Sequence, residues 1–242
     1  MNLENATAIL TGTAFSLGFI HTLLGPDHYL PFIALSRARS WSIKKTILIT
    51  SVCAGGHIAS SVIIGLGGIA ISASLPEIEW IENSRAEIAS WLLLTFGLIY
   101  MIWGIKQALS GKKHSHWHTH ANSAFHSHNH NHLHSKHMHI HNESGKKITP
   151  WVLFIIFVFG PCEPLIPLLM YPAAAENVIA LLAVISAFSL STAITMTAIV
   201  YLSVKGINLI PSTKNSWFER YTHALAGAMI FGSGAGVIFF GW

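Results

Sequence analysis

The sequence predicts an all-α polytopic membrane protein with six transmembrane helices, arranged as a 3+3 inverted repeat with broken first and fourth helices. Three observations predict this class. Hydrophobic residues make up 52% of the 242-residue chain and charged residues only 10%, against about 25% charged in a soluble domain. Six apolar runs of bilayer length recur along the chain. Two of these runs contain similar Gly-Pro motifs.

The six predicted spans each approach or exceed the ~20 residues needed to cross a ~30 Å hydrocarbon core. They lie at approximately 8–35, 46–72, 88–109, 150–172, 178–203 and 221–241. Three spans precede a His-rich segment and three follow it. The predicted units are therefore a first repeat (1–110), a cytoplasmic loop (111–149) and a second repeat (150–242). Because each repeat has an odd number of spans, the second inserts upside down relative to the first.

Two motifs interrupt the first and fourth predicted spans, Gly25-Pro26-Asp27-His28 and Gly160-Pro161-Cys162-Glu163. Proline lacks an N–H donor and crowds the preceding turn, so neither motif continues a straight helix. A break at membrane depth survives only where it lines a protein-enclosed cavity. Both motifs lie roughly mid-bilayer, and we therefore expect the two breaks to meet at one site.

Several polar side chains at or near these breaks are of types that bind transition metals. The candidate ligands are His21, Asp27, His28, His57, Cys162 and Glu163. Each central ionised group costs about 2.5–3.5 kcal/mol on insertion, so their concentration indicates a functional site. Hydrogen bonding to a neighbouring helix is the alternative role for His21 and His57. Cys53, Thr195 and His223 are weaker candidates, for which packing or interfacial contact is the ordinary explanation.

The loop between the repeats is rich in histidine, with twelve His among the 28 residues from 114 to 141. They are His114, His116, His118, His120, His126, His128, His130, His132, His134, His137, His139 and His141. The tract cannot build a core, so we expect it to be disordered or to bind metal with low specificity. A soluble spacer and a pH-sensitive tether are the alternatives.

The positions of Lys and Arg predict the orientation. Of fourteen such residues, all but Arg85 fall on one predicted side of the membrane. The positive-inside rule then places both termini outside and the His-rich loop in the cytoplasm of a prokaryotic plasma membrane. Residues 1–7 carry Glu4 and no positive charge, so no cleavable signal peptide is evident. The net charge of +4 follows from this topology, and we expect no nucleic-acid partner.

The motifs resemble those of the nickel/cobalt transporter (NicO) superfamily, particularly its short branch of urease-accessory-like and sulfite-exporter-like membrane proteins. The similar features are the segment from His21 to His28, the Gly-His pair at His57, the His-rich loop and the Gly160–Pro164 motif. The resemblance implies passage of a divalent metal, nickel or cobalt first and zinc or copper next. His21, Asp27, His28 and His57 match the family motif.

We therefore expect an alternating-access metal transporter in the lipid bilayer, with efflux slightly favoured over import. As a transporter, the protein is expected not to be an enzyme and to have no permanent cofactor. It leaves open a cytoplasmic metallochaperone partner and a homo-oligomeric assembly.

Two other functions remain open. One is a membrane subunit that delivers metal to a partner without translocating it. The other is electron transfer, because Gly-Pro-Cys in a six-helix inverted repeat is also similar to the thiol-disulfide reductant conductors of the CcdA/DsbD type, which use one Cys in each repeat. Here Asp27 takes the position that matches Cys162, and Cys53 lies on a different helix. We therefore rank electron transfer below metal transport.

Overall fold

The computed structural model describes residues 3–71, 74–110, 114–119, 125–130, 148–160, 162, 164–209 and 216–240. These residues form α-helices, one 3-10 turn and one pair of short strands. In chain order they are α1 (Leu3–Leu24), the 3-10 turn (Pro26–His28), α2 (Leu30–Ala38), α3 (Ile43–Ala70), α4 (Leu75–Ser110), β1 (His114–Thr119), β2 (Phe125–His130), α5 (Ile148–Phe159), α6 (Leu165–Ala174), α7 (Val178–Leu209) and α8 (Ser216–Phe240).

Five helices in the described part of the chain are long and apolar enough to cross a membrane, namely α1, α3, α4, α7 and α8. The helices α5 and α6 are equally apolar but too short to span alone. Large apolar side chains are exposed along the outer faces of these helices, as at Leu48, Ile63 and Ile194. In water such faces would be costly, whereas in lipid they are the expected surface. The protein is therefore a multi-pass membrane protein.

The first predicted break is confirmed. The helix α1 ends at Leu24, and the Gly25 N–H still donates to the His21 carbonyl at 3.0 Å. The 3-10 turn follows, and α2 begins at Leu30. A Cβ atom at Gly25 would lie 2.6 Å from Nδ1 of His28. Glycine at this position therefore lets the His28 ring fold back against the end of α1.

The second predicted break is also confirmed. The helix α5 ends at Phe159, and α6 begins at Leu165, whose N–H donates to the Cys162 carbonyl at 2.9 Å. Pro161 and Glu163 lie outside the described residues. The run predicted as a fourth span is thus two short helices.

The third predicted span begins too late in the chain. We expect it at residues 88–109, but α4 is a 36-residue helix that starts at Leu75. The difference arises because Glu82 and Arg85, which the sequence analysis places outside the membrane, form an ion pair inside the protein. Glu82 is only 1% exposed and Arg85 only 9%. Mutual neutralisation allows both charges to lie on the buried face of α4.

The core is built by helices of the first half packing on helices of the second. The main pairs are α4 with α8, α1 with α7, α2 with α8, and α3 with both α5 and α7. Two buried apolar clusters result. The first includes residues of α2 and α5, such as Phe32 and Phe157. The second includes residues of α1 and α6, such as Ala14 and Leu165, together with Cys162. Tyr29, next to the first break, packs against the first cluster, and Cys162 of the second break belongs to the second cluster.

Part of the His-rich loop has a paired backbone. The strands β1 and β2 are antiparallel, with His114 opposite His130 and His116 opposite His128. The prediction for this tract is disorder or bound metal. The strands are compatible with its sequence, because the His-x-His spacing has the period of two that a strand requires. The residues His120, His132, His134, His137, His139 and His141 lie outside the described part of the chain. Metal binding by the loop stays a prediction.

Candidate functional site at the two helix breaks

Four of the predicted site residues form a continuous row across the two breaks. The ring centroids of His21 and His28 are 4.7 Å apart, and those of His28 and His57 are 5.1 Å apart. The Sγ atom of Cys162 lies 2.9 Å from Nε2 of His57. The side chains come from α1, the 3-10 turn, α3 and the second break. The expectation that the two breaks meet is therefore confirmed.

Asp27 orients His28. The Nδ1 atom of His28 lies 3.1 Å from Oδ1 of Asp27 and 3.2 Å from the Gly25 carbonyl oxygen. Both neighbours are acceptors, so we assign the ring proton to Nδ1. The Nε2 atom of His28 is buried and has no hydrogen-bond partner among the described residues. The ring thus presents an unused nitrogen to the interior of the site.

His57 and Cys162 form a buried thiol–imidazole pair. The Nδ1 atom of His57 donates to the Phe157 carbonyl at 3.3 Å, which leaves Nε2 as the acceptor that faces the sulfur. His57 is 3% exposed and Cys162 is fully buried. A Cβ atom at Gly160 would lie 2.9 Å from Nδ1 of His57. The glycine of the second break therefore makes room for the imidazole.

Arg85 supports the second break. Its Nη2 atom donates to the Val158 carbonyl at 2.8 Å and to the Gly160 carbonyl at 3.2 Å. Carbonyls in the last turn of a helix have no partner within the helix. Its Nη1 atom pairs with Glu82. The guanidinium thus satisfies the open end of α5 while its charge is balanced within α4.

Ser61 links this ion pair to Cys162. Its hydroxyl donates to Oε2 of Glu82 at 3.1 Å and accepts the backbone N–H of Cys162 at 3.1 Å. Ser61, Glu82 and Arg85 are not among the site residues predicted from the sequence. The available signal is that Arg85 is the lone cation on its predicted side and follows Glu82 at a helical i,i+3 spacing.

A cavity of about 230 Å³ adjoins the row of rings. Its lining includes His21, Asp27, His28, His57 and Pro164. A second cavity, of about 330 Å³, is lined by Glu79, Glu82, Asn83, Pro164, Ile166 and Pro167. Pro164 lines both cavities, so the second break borders the cavity at the row of rings and the one at the beginning of α4.

The remaining candidates lie apart from the row or outside the described residues. Glu163 belongs to the latter group. His223, for which interfacial contact is the expectation, lies against α4 with its Nδ1 atom at hydrogen-bond distance, 2.9 Å, from the Tyr100 hydroxyl. Thr195 is buried on α7. Cys53 is buried on α3, one helical turn before His57.

The row also contains a set of metal-ligand atoms. One donor atom each from His21, His57 and Cys162 lies within 4.8 Å of the other two. The Nε2 atom of His21 is buried without a hydrogen-bond partner among the described residues. These side chains therefore suit either thiol chemistry assisted by imidazole or coordination of a metal ion.

The model of the family described as "Cytochrome C biogenesis protein transmembrane region" matches residues 30–236. The chain belongs to this family. No curated protein and no solved structure matches the chain.

Membership of the cytochrome c biogenesis transmembrane family corrects two predictions. The assignment to the nickel/cobalt transporter superfamily is wrong, and so is the transport of a divalent metal inferred from it. A transported metal and a metallochaperone partner have no support. The error has a physical cause: His, Asp and Cys beside a helix break serve metal binding, proton transfer and thiol exchange equally well. Residue type alone does not distinguish these functions.

Proposed function

We propose that this protein is a membrane thiol–disulfide electron carrier in which Cys162 exchanges with a partner disulfide and His57 is its base. The supporting observation is the 2.9 Å contact between Cys162 Sγ and His57 Nε2, in a chain that belongs to the cytochrome c biogenesis transmembrane family. This is the electron-transfer alternative of the sequence analysis. The electrons reside in sulfur–sulfur bonds, so the proposal requires no permanent cofactor.

The first step is nucleophilic attack by the Cys162 sulfur. The thiolate is the reactive form, and Nε2 of His57 is placed to accept the thiol proton. The thiolate attacks a disulfide of the partner, forming a Cys162–partner disulfide and releasing the second partner sulfur as a thiolate. The proton that His57 took from Cys162 then passes to the released partner thiolate.

Cys53 is our proposed second thiol. The chain contains two cysteines. Cys53 and His57 lie four residues apart on α3, so they share one face at a separation of about 6 Å along the axis. Attack by Cys53 on the mixed disulfide would give a Cys53–Cys162 disulfide and a partner dithiol, which transfers two electrons and two protons. A dithiol partner on the other side of the membrane would then reduce the Cys53–Cys162 bond.

The exchange requires local movement. Both cysteines are buried free thiols in this structure, and a disulfide needs Cα atoms about 4.4–6.8 Å apart. The second break is the segment best suited to move, because Gly160 and Cys162 lie between helices rather than within one. Cys162 is fully buried and lines neither cavity, so the second break must shift to bring a partner sulfur from the cavity at His57 and Gly160 to Cys162.

Our proposal includes the six-span inverted repeat. The helix pairs α1–α2 and α5–α6 would each count as one broken crossing. Support comes from the core: α2 shares one buried cluster with α5, and α1 shares the other with α6. In an inverted repeat, the helix before one break lies at the same membrane depth as the helix after the other break. The pairing of α5 with α2 and of α1 with α6 fits this expectation. Both termini would lie on the same side.

The decisive experiment uses purified, reduced protein and an aromatic disulfide that releases a coloured thiol. We expect the wild-type chain to release two equivalents, one when Cys162 is captured and one when Cys53 resolves the mixed disulfide. Cys53→Ser should stop after one equivalent and retain the probe on Cys162, as mass spectrometry would show. His57→Gln should slow the first step at least ~10²-fold, the lower end of general base catalysis.

Cys162→Ser is the matched comparison, because it leaves Cys53 as the remaining thiol. We expect the rapid release of the first equivalent of coloured thiol, here called the fast phase, to disappear in this variant. A fast phase that survives in Cys162→Ser, or a wild-type chain that never forms a Cys53–Cys162 disulfide, would overturn the proposal.

A further inference from the structure

We propose that His21, His57 and Cys162 also form a binding site for one borderline transition-metal ion, such as Zn²⁺ or Co²⁺. The site is static, and no passage of the ion across the membrane is implied. It does not depend on the proposed electron transfer, which requires the thiol but not His21.

The spacing of the donor atoms fits a metal centre. A tetrahedral ion with Zn–N of about 2.0 Å and Zn–S of about 2.3 Å holds its ligand atoms about 3.3–3.8 Å apart. The donor atoms of the three side chains lie within 4.8 Å of one another, and the His57 Nε2 to Cys162 Sγ pair is at 2.9 Å. Shifts of about an ångström would therefore bring all three around one ion.

Unsatisfied ring nitrogens provide a second, independent observation. The Nε2 atoms of His21 and His28 are both buried without a hydrogen-bond partner among the described residues. Buried polar atoms in proteins are nearly always paired, and each exception calls for an explanation. An ion coordinated through Nε2 would satisfy His21 directly. The His28 ring lies between those of His21 and His57, with ring centroids 4.7 and 5.1 Å away. His28 is therefore the candidate for a fourth ligand.

The surroundings match a site for a cation. The Asp27 carboxylate lies 3.1 Å from Nδ1 of His28. A carboxylate on the far nitrogen of an imidazole is the usual outer support of a metal-bound histidine, because it fixes the ring and raises its basicity. The nearest buried cation described in the site, Arg85, is already paired with Glu82. Together, Asp27 and a Cys162 thiolate would balance a divalent ion.

Cobalt titration of the reduced, full-length protein tests the site. Thiolate coordination to Co²⁺ gives a charge-transfer absorption in the near ultraviolet, which histidine ligands do not give. The His-rich loop contains no cysteine, so it cannot produce this signal. We expect the band to saturate at one Co²⁺ per chain and to be displaced by stoichiometric Zn²⁺.

The variants identify the ligands. Cys162→Ser should remove the band, and Cys53→Ser should keep it. His21→Gln and His57→Gln should each weaken Co²⁺ binding by at least about tenfold. His223→Gln is the matched control, because His223 packs against Tyr100 outside the site, and it should leave binding unchanged. Size-exclusion profiles and helical content confirm that each variant is folded.

Two results would overturn the metal site: no thiolate band in the wild-type protein at saturating Co²⁺, or a band that follows Cys53 instead of Cys162. Either result leaves the electron-carrier proposal standing if metal-free protein still shows Cys162-dependent exchange with the aromatic disulfide. Conversely, a band without such exchange would retain the metal site and overturn the electron carrier.

Discussion

Arg85 lies on α4, yet its guanidinium completes the end of α5. It donates to the carbonyls of Val158 and Gly160 and pairs with Glu82. Without it, these carbonyls would lose this donor, and the Glu82 carboxylate would keep its hydrogen bond from Ser61 but lose its counter-charge in the interior. A buried ion pair adds little against an apolar substitute, but removing one partner leaves an uncompensated charge.

We therefore expect Arg85→Met to lower the free energy of unfolding by about 3–5 kcal/mol. The measurement is denaturant-induced unfolding in mixed micelles, followed by circular dichroism. Lys106→Met is the matched control, because Lys106 is an exposed cation on the same helix, and it should change stability by less than about 0.5 kcal/mol. Equal stability of the two variants would show that Arg85 does not support the break.

At this scale, sequence reasoning finds the residues whose type is unusual in an apolar span. His21, Asp27, His28, His57 and Cys162 are recognisable because buried polar groups are costly. Their neighbours are harder to predict. Ser61 is an ordinary hydroxyl in a long apolar helix, and its role depends on a contact with Cys162 made 101 residues away in the sequence.

The helices α4 and α8 pack through a ladder of glycines. A Cβ atom at Gly97 would overlap the backbone of Phe231, and one at Gly227 would overlap the backbone of Met101. A Cβ atom at Gly234 would lie 2.6 Å from the Leu94 nitrogen. Small residues at such positions allow two helix backbones to approach closely in a membrane. Dispersion contacts between the two helices then stabilise their association, because the hydrophobic effect does not drive helices together in lipid.

The helix interface predicts a contrast between two glycines. Gly97→Ala should destabilise the protein by about 1–3 kcal/mol, because the backbones must separate to admit a methyl group. Gly232→Ala should be neutral or slightly stabilising, since Gly232 lies on α8 with open space around it and alanine favours a helix. Thermal unfolding in detergent distinguishes them. Similar melting temperatures for both variants would contradict the close packing.

The helix breaks could be predicted from the sequence, whereas the start of α4 could not. The conformational effects of proline and glycine are local, so the Gly-Pro pairs at Gly25-Pro26 and Gly160-Pro161 are recognisable as helix interruptions from the sequence. The extent of α4 depends instead on whether Glu82 meets a buried partner, and hydropathy along the chain carries no such information.

The orientation of the whole molecule stays a prediction from its charges. Burial of Arg85 within α4 removes the one cation that opposes the rule, because a paired, buried guanidinium is not a loop charge. The bias toward one side is thereby stronger than the sequence alone suggests.

Impermeant maleimide labelling of intact cells should detect this orientation. In a Cys53→Ser, Cys162→Ser background, we expect Asn2→Cys to be labelled and Asn142→Cys to be labelled only after the cells are opened. Asn142 lies in the His-rich loop, and Asn2 precedes α1. The reverse labelling pattern would place the loop outside.

At the scale of the molecule, the class is predictable and the function is not. Composition and apolar runs suffice for a multi-pass membrane protein, because lipid imposes one strong constraint on every span. The function depends on which chemistry one small cluster performs. The sequence alone does not show whether the Cys162 sulfur binds a metal or exchanges with another sulfur. The prediction of function was therefore corrected only by the family match.

Packing between the halves also determines when each helix can meet its partner during synthesis. The partner of α1 is α7 and the partner of α4 is α8, so the early helices are synthesised long before the surfaces that cover them. At ~5–20 residues per second, roughly 6–26 s pass between the completion of α4 at Ser110 and that of α8 at Phe240. During this interval the insertion machinery or lipid must cover the glycine face of α4. A chain that stops before Ser216 leaves that face permanently without its partner, and completion of the last helix thus determines whether the protein matures.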